Sequence, residues 1–176
     1  MRYILLVTLS LLLCHCTEPS DQKDSIGHIE YMREHEGVVS TELIDMWLAH
    51  VNVPPRNPYC AAVTSYSLDA GNITTIKVRS GLARDFITKT PRQKLVPAGM
   101  VLRGQIEAQP GWLVVFQHRG SVYGHVGIVT NKWRGQGGIY ISGNTSIPGT
   151  TKRGIAEKDA YIIPSASFYI SHFIKN

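Results

Sequence analysis

Cysteine is scarce in this sequence, and no apolar run is long enough to cross a membrane. The 176 residues include three cysteines, and the longest apolar run, residues 4–13, is interrupted by Thr8 and Ser10. A membrane-spanning helix needs about 20 apolar residues. Two of the cysteines, Cys14 and Cys16, directly follow this run, so Cys60 has no disulfide partner in the rest of the chain.

Several other features are missing as well. The sequence has no internal repeat and no low-complexity tract, and its lysines and arginines are scattered despite a net charge of +5. These features argue against a repeat protein and against nucleic-acid binding. No closely spaced acids precede Cys60, and no Cys or His spacing suggests zinc, so no metal or other cofactor is predicted. We expect a monomer.

The N-terminal segment is typical of export. Arg2 precedes the apolar run of residues 4–13, as in the charged and apolar regions of a signal peptide. The polar residues 17–23 that follow argue against a buried N-terminal helix. The sequence therefore predicts a signal peptide at 1–16, a linker at 17–25 and one domain at 26–176.

The end of this segment partly resembles the lipobox of bacterial lipoproteins. Leu11 lies three residues before Cys14, and Leu13 lies three residues before Cys16, as that motif requires. Leu13 and His15, however, occupy the positions directly before the cysteines, where small residues are usual. Lipid attachment at Cys14 or Cys16 and plain secretion both remain open, and either predicts a location in the bacterial cell envelope, in the periplasm or on the outer surface.

The sequence of the domain predicts helices followed by strands. Apolar spacing and capping residues predict helices at 40–50, 60–70 and 80–88. Short segments rich in Val, Ile and aromatic residues predict strands at 112–118, 123–130, 138–143 and around 160–164. This order predicts an α+β fold in which N-terminal helices pack on one face of a small antiparallel sheet.

Cys60 is placed where a thiol can become a nucleophile. It follows the proline-containing segment 53–58 and opens the predicted helix 60–70. The free N–H groups and the dipole of a helix N-terminus lower the pKa of a thiol. An inert buried cysteine is the alternative, so the partners of Cys60 must decide between the two.

A nucleophilic thiol needs a base. His125 lies inside a predicted strand and is held by the sheet, whereas His118 lies in the preceding loop, so His125 is favoured. Asn144 at the end of the next predicted strand is a candidate to orient the imidazole, although alone it would be taken for a turn residue. Cys60, His125 and Asn144 are thus the candidate catalytic residues.

Four blocks in this order resemble a CHAP domain, within the NlpC/P60-like cysteine peptidases. They are P-Y-C-A-A-V-T-S-Y-S-L-D-A-G, P-G-W-L-V-V-F, G-H-V-G-I-V and G-N-T-S, and the likeness spans roughly residues 30–155. Such domains have papain-like α+β folds and cut amide bonds in peptidoglycan. The resemblance implies the same roles for Cys60 as nucleophile, His125 as base and Asn144 as orienting residue.

The sequence departs from the family pattern at two positions. Family members commonly carry an acidic residue two positions before the asparagine, where this chain has Ser142, and an aspartate where it has Trp112. A serine can hydrogen-bond but supplies no charge, so lowered activity is expected rather than none. The oxyanion is expected to meet the backbone N–H of Cys60, with help from the side chains of Asn57 or Tyr59.

The predicted function is hydrolysis of a peptidoglycan amide, as an N-acetylmuramoyl-L-alanine amidase or a peptide endopeptidase. Two alternatives remain open, because Ser142 also fits a wall-binding module that has lost turnover, and the same thiol could transfer an acyl group to an amine. The expected target is the wall of the cell itself or that of a competitor.

Overall fold

Five α-helices and six strands make up the computed structural model, which describes residues 26–176. The helices are α1 (Gly27–Glu34), α2 (Thr41–His50), α3 (Cys60–Ala70), α4 (Asp85–Thr88) and α5 (Ala98–Leu102), with a 3₁₀ turn at Arg92–Lys94. The strands are β1 (Leu95–Pro97), β2 (Leu113–His118), β3 (Gly124–Val129), β4 (Gly137–Ser146), β5 (Arg153–Tyr161) and β6 (Phe168–Ile174). The predicted signal peptide and the lipidation candidates Cys14 and Cys16 lie outside the described residues. Over residues 26–176, no helix has both the length and the hydropathy of a membrane span.

The strands form one antiparallel sheet in the order β1-β6-β2-β3-β4-β5. Helices over an antiparallel sheet confirm the predicted α+β class. β3 and β4 are paired at only two positions, Ile128 with Ile141 and Val129 with Tyr140. The first half of β3 is therefore free of β4 pairing, and this is the part that carries His125.

Each face of the sheet has its own core. Helices α1 to α3 cover one face, where Trp47 and Val63 belong to the same buried cluster as Val126 and Ile128 of β3. The other face carries a second cluster, with Val129 among its members. The alternation of β3 side chains between the two clusters follows from the two-residue period of a strand.

The second cluster was not predicted, since the sequence suggested helices on one face only. It is closed by α5 and by Trp133, which is fully buried in the segment between β3 and β4. Burial on both faces explains why residues 113–116 of β2 are all apolar and all buried.

The predicted helices at 40–50 and 60–70 are confirmed. Ser40 caps α2 by accepting a hydrogen bond from the Leu43 N–H at 3.3 Å, and α3 begins at Cys60. The predicted helix at 80–88 is reduced to α4. The Ser80 backbone exchanges hydrogen bonds with the Ser65 hydroxyl at 2.9 and 3.0 Å, which ties the start of that segment to α3 instead.

Three of the four predicted strands are confirmed as β2, β3 and β4. The strand predicted around 160–164 is wrong in position, because the observed strand β5 ends at Tyr161. Helix α1 and strands β1 and β6 were not predicted. Two neighbour relations position the site: α3 packs on β3 and β4, which lie far from it in sequence, and β4 forms a hairpin with β5.

Candidate active site

Cys60 is the first residue of α3 and is held rigidly. Only 6% of the residue is exposed, and the following residues 61–65 are all buried. The buried Thr64 hydroxyl donates to the Cys60 carbonyl at 2.8 Å, so this hydroxyl is satisfied within the first helical turn. The thiol therefore has a fixed position at the end of a buried helix.

Burial raises the pKa of the Cys60 thiol above its ordinary value. The backbone N–H groups of Val126, Ala61 and Cys60 itself act in the opposite direction, and so does the charge of Arg153, but burial outweighs them. The sequence predicted a lowered pKa from the helix N-terminus alone. This direction is corrected here, because the helix that supplies the N–H groups also removes the thiol from water.

His125 lines the same cleft as Cys60. The cleft has a volume of about 490 Å³, and Asn144 also lies in its wall. The imidazole of His125 is flanked by the rings of Phe116 and Tyr140, with centroids 5.7 and 6.1 Å away. The structure thus brings together the three residues that the sequence put forward as catalytic.

The rival histidine, His118, lies at the end of β2 and also reaches this cleft. Its ring packs against Phe168, with the centroids 4.4 Å apart. His118 is exposed, whereas His125 is half-buried and carries a hydrogen bond to a buried side chain. The two histidines therefore differ in how firmly their rings are held.

His125 forms a hydrogen bond between its Nε2 and the Ser142 hydroxyl at 2.9 Å, and Ser142 is fully buried. Nδ1 can accept a proton from a thiol only when Nε2 carries the ring hydrogen and donates it to the serine oxygen. Burial raises the pKa of the Tyr140 hydroxyl, and Ser142 lowers it less strongly. The residue that replaces the family's acid is thus the one that contacts the base.

Asn144 lies beside the base without this contact. The β4–β5 register shifts between Ser142 and Thr145, and Asn144 has a φ of 53° in the left-handed region, which asparagine tolerates better than most residues. Its carbonyl accepts a hydrogen bond from Arg153 at 2.9 Å. The bulge sets Asn144 into the cleft wall, and its predicted orienting role stays a prediction.

Gly143 explains how the bulge fits under the helix. A Cβ on this residue would lie 2.4 Å from Cγ1 of Val63 and 3.1 Å from the ring of Tyr59. No larger residue fits without moving α3, which carries Cys60 at its start. The glycine therefore permits the close approach that brings the start of α3 and β4 together.

The pKa of His125 is lowered to about 4, mainly by burial and further by the charges of Arg153 and Lys158. The ring is therefore neutral at neutral pH, which is the form a general base needs. The same surroundings disfavour the imidazolium that forms once the proton is taken, and Ser142 offers no charge to offset this.

Asn57 and Tyr59, the two side chains predicted to help stabilise the oxyanion, make different contacts. The Asn57 amide donates to the Pro54 carbonyl at 2.9 Å, which holds it in the turn before the helix. Tyr59 is buried, its ring packs on Trp47 at 6.0 Å between centroids, and burial raises the pKa of its hydroxyl. Their oxyanion roles remain predictions, and neither side chain lines the cleft shared by Cys60 and His125.

The cleft residues that the sequence did not put forward include Tyr140, Arg153 and Lys158. Tyr140 and Lys158 are paired directly across β4 and β5. The alternation of side chains along β4 and β5 was the one sequence pattern that could have identified these residues. It was not recognised because β5 was not predicted at its observed position.

Labelling of the thiol tests its raised pKa. We expect iodoacetamide to label Cys60 slowly at neutral pH and faster as the pH rises above about 8.5, the value for a free thiol. Only the thiolate reacts, and a raised pKa delays its formation. Mass spectrometry of the proteolytic peptide that contains Cys60 separates this signal from Cys14 and Cys16. A labelling midpoint near neutral pH would contradict the burial argument.

The fold and the site together define a class of protein. Helices packed on an antiparallel sheet, with a cysteine opening a buried helix and a histidine on a strand in the same cleft, are the architecture of a papain-like α+β protein. The chain matches the family model described as the CHAP domain over residues 52–144, more than half of its length. The chain therefore belongs to the CHAP family, and no curated protein matches it. Membership implies peptidoglycan hydrolase or amidase activity in general.

Proposed function

We propose that this protein hydrolyses an amide bond of peptidoglycan with Cys60 as nucleophile and His125 as general base. The bond is either the one between N-acetylmuramic acid and L-alanine or a bond of the stem or cross-bridge peptide. The observation that carries this proposal is the cleft shared by Cys60 and His125, in which the imidazole is hydrogen-bonded to the buried Ser142.

The chemistry follows from this arrangement. Nδ1 of His125 takes the thiol proton while the sulfur of Cys60 bonds to the amide carbon, and the negative charge that develops on the oxygen is met by the Cys60 backbone N–H. Collapse of this intermediate breaks the C–N bond, and the imidazolium gives its proton to the leaving amine. Water then attacks the thioester, His125 takes a proton from the water, and the carboxylic acid leaves with restoration of the thiol.

Ser142 supports this mechanism in a limited way. Its hydroxyl can hold the ring in the tautomer with a free Nδ1, but a neutral group does not stabilise the imidazolium as a carboxylate would. We therefore expect a slower enzyme than one with an acid at this position.

Mass spectrometry of fragments released from purified sacculi tests the proposal. New termini in the released muropeptides would identify the bond directly, and the Cys60→Ala variant provides the matched control. Release by both proteins would indicate a contaminating hydrolase, and release by neither would overturn the proposal.

A wall-binding module without turnover is the second candidate, and a specific observation favours it. The thiol has a raised pKa, the base has a pKa of about 4, and the lining of the cleft includes no Asp or Glu among the described residues. Each of these features disfavours the thiolate–imidazolium pair. Co-sedimentation with sacculi, in the absence of any release of fragments, would support this candidate.

We also propose that the protein is exported to the cell envelope and anchored there by a lipid on Cys14 or Cys16. The support is the apolar run at 4–13 and the leucines three residues before each cysteine. Palmitate labelling should disappear when the acylated cysteine is replaced and persist when the other one is. An unlabelled mature protein that begins beyond Cys16 would contradict lipid anchoring and indicate ordinary secretion.

A further inference from the structure

Two cations, Arg153 and Lys158, stand in the wall of the cleft that contains Cys60 and His125. Both belong to β5. Lys158 lies directly opposite Tyr140 on β4, and Arg153 lies opposite Ser146 beyond the bulge. The β4–β5 hairpin therefore presents two positive charges to the space in which a substrate would meet the thiol.

Their hydrogen bonds go to neutral groups. Arg153 donates to the Asn144 carbonyl at 2.9 Å, and Lys158 donates to the Ser146 hydroxyl at 2.6 Å. Within residues 26–176 neither cation forms an ion pair, and the adjacent acid Glu157 is paired with Arg33 at 3.0 Å. The two charges of the cleft are thus without a counter-ion from the described part of the chain.

Such an arrangement attracts an anion. Charges of one sign that line a cleft reinforce each other's potential, and water screens the half-buried Lys158 less than the exposed Arg153. The guanidinium of Arg153 matches the geometry of a carboxylate, and the half-buried Lys158 adds a point charge beside it. Both cations also act on the reacting groups, since Arg153 favours the thiolate of Cys60 and both disfavour the charged ring of His125.

A second cavity borders Cys60 and differs in character. It has a volume of about 460 Å³, and its lining includes Leu82, Ala83 and Val122. Leu82 and Val122 are more than half exposed. The charged groups there are Arg84 and Asp85, one of each sign. The two spaces beside the thiol thus offer a cationic wall on one side and a mainly apolar wall on the other.

We propose that Arg153 and Lys158 form a subsite for a carboxylate of the substrate peptide, so that the protein selects amide bonds that have a free carboxylate nearby. This rests on the proposed function, because the anion must belong to the molecule whose amide meets Cys60. The carboxylate-bearing part of the peptide lies along β5, and the uncharged part lies toward Leu82 and Val122. The orientation of the substrate in the cleft is thereby fixed.

The test uses a synthetic cross-linked muropeptide and an analogue in which every free carboxylate is a carboxamide. We expect the unaltered protein to hydrolyse the carboxylate form with a kcat/KM at least about tenfold higher, which is the scale of one charge-assisted hydrogen bond. Arg153→Gln and Lys158→Gln should each reduce this preference. Lys152→Gln should retain it, because Lys152 does not line the cleft although it carries the same charge next to Arg153.

Binding to the Cys60→Ala variant, measured by calorimetry, separates this proposal from the proposed function. Tighter binding of the carboxylate form, without hydrolysis by the unaltered protein, would support the subsite and overturn the hydrolase. Equal hydrolysis of the two forms would overturn the subsite and leave the hydrolase standing. An equal loss of activity on both forms in Arg153→Gln and Lys158→Gln would likewise overturn it, since the cations would then act on the fold or on the reacting groups alone.

Discussion

Replacement of His125 by alanine is expected to remove nearly all amide hydrolysis. General-base assistance typically contributes about 10²–10⁴-fold to the rate, and the described cleft holds no carboxylate that could take the thiol proton in its place. The measurement is the rate of muropeptide release from sacculi, with circular dichroism to establish that the variant is folded.

His118→Ala is the matched control for this prediction. His118 borders the same cleft and packs on Phe168, but its ring has no hydrogen bond to a buried side chain, so most of the activity should remain. If His118→Ala proved the more damaging of the two changes in a folded protein, the base would be assigned to the wrong histidine. The match of the G-H-V-G-I-V block to the catalytic strand would then be wrong as well.

Ser142→Ala is expected to lower hydrolysis by about 10–100-fold, the usual cost of losing a group that orients an active-site ligand or base. Without the hydroxyl, Nε2 of His125 loses its partner at 2.9 Å, and the ring can adopt the wrong tautomer or rotamer. Ser142→Thr keeps a hydroxyl and should retain most of the rate.

Asn144→Ala provides the comparison with Ser142→Ala. The sequence motifs predicted the orienting role for Asn144, whereas the hydrogen bond to His125 belongs to Ser142. We expect Asn144→Ala to cost less than His125→Ala and less than Ser142→Ala. A larger loss in Asn144→Ala, with Ser142→Ala unaffected, would return the orienting role to the asparagine and make the Ser142 contact incidental.

Local patterns predicted much of this fold. The helix that begins at Cys60 could be predicted because prolines precede it and the helical spacing of apolar residues continues to Gly71. Strand β3 could be predicted from the alternation of its side chains. These signals depend on residues only a few positions apart. The second buried cluster could not be predicted, because the burial of Trp133 depends on contacts with distant segments such as α5 and β6.

The site was predictable in the same measure. Cys60 and His125 carry recognisable chemistry in recognisable surroundings, and so does the family block around Asn144. Arg153 and Lys158 look like ordinary surface cations in the sequence. Their position in the cleft follows from the β4–β5 register, which a bulge between Ser142 and Thr145 shifts.

The sequence by itself determined the class of fold and put forward Cys60 as candidate nucleophile, His125 as candidate base and Ser142 in place of an acid, because residue type and short-range spacing are sufficient for these. The tertiary structure decided which group contacts the His125 ring, in which direction the pKa of Cys60 moves and which charges line the cleft. The physical reason is that hydrogen bonds, burial and electrostatic fields depend on distances in space. Residues 60, 125, 142 and 153 come together only when α3, β3, β4 and β5 have packed.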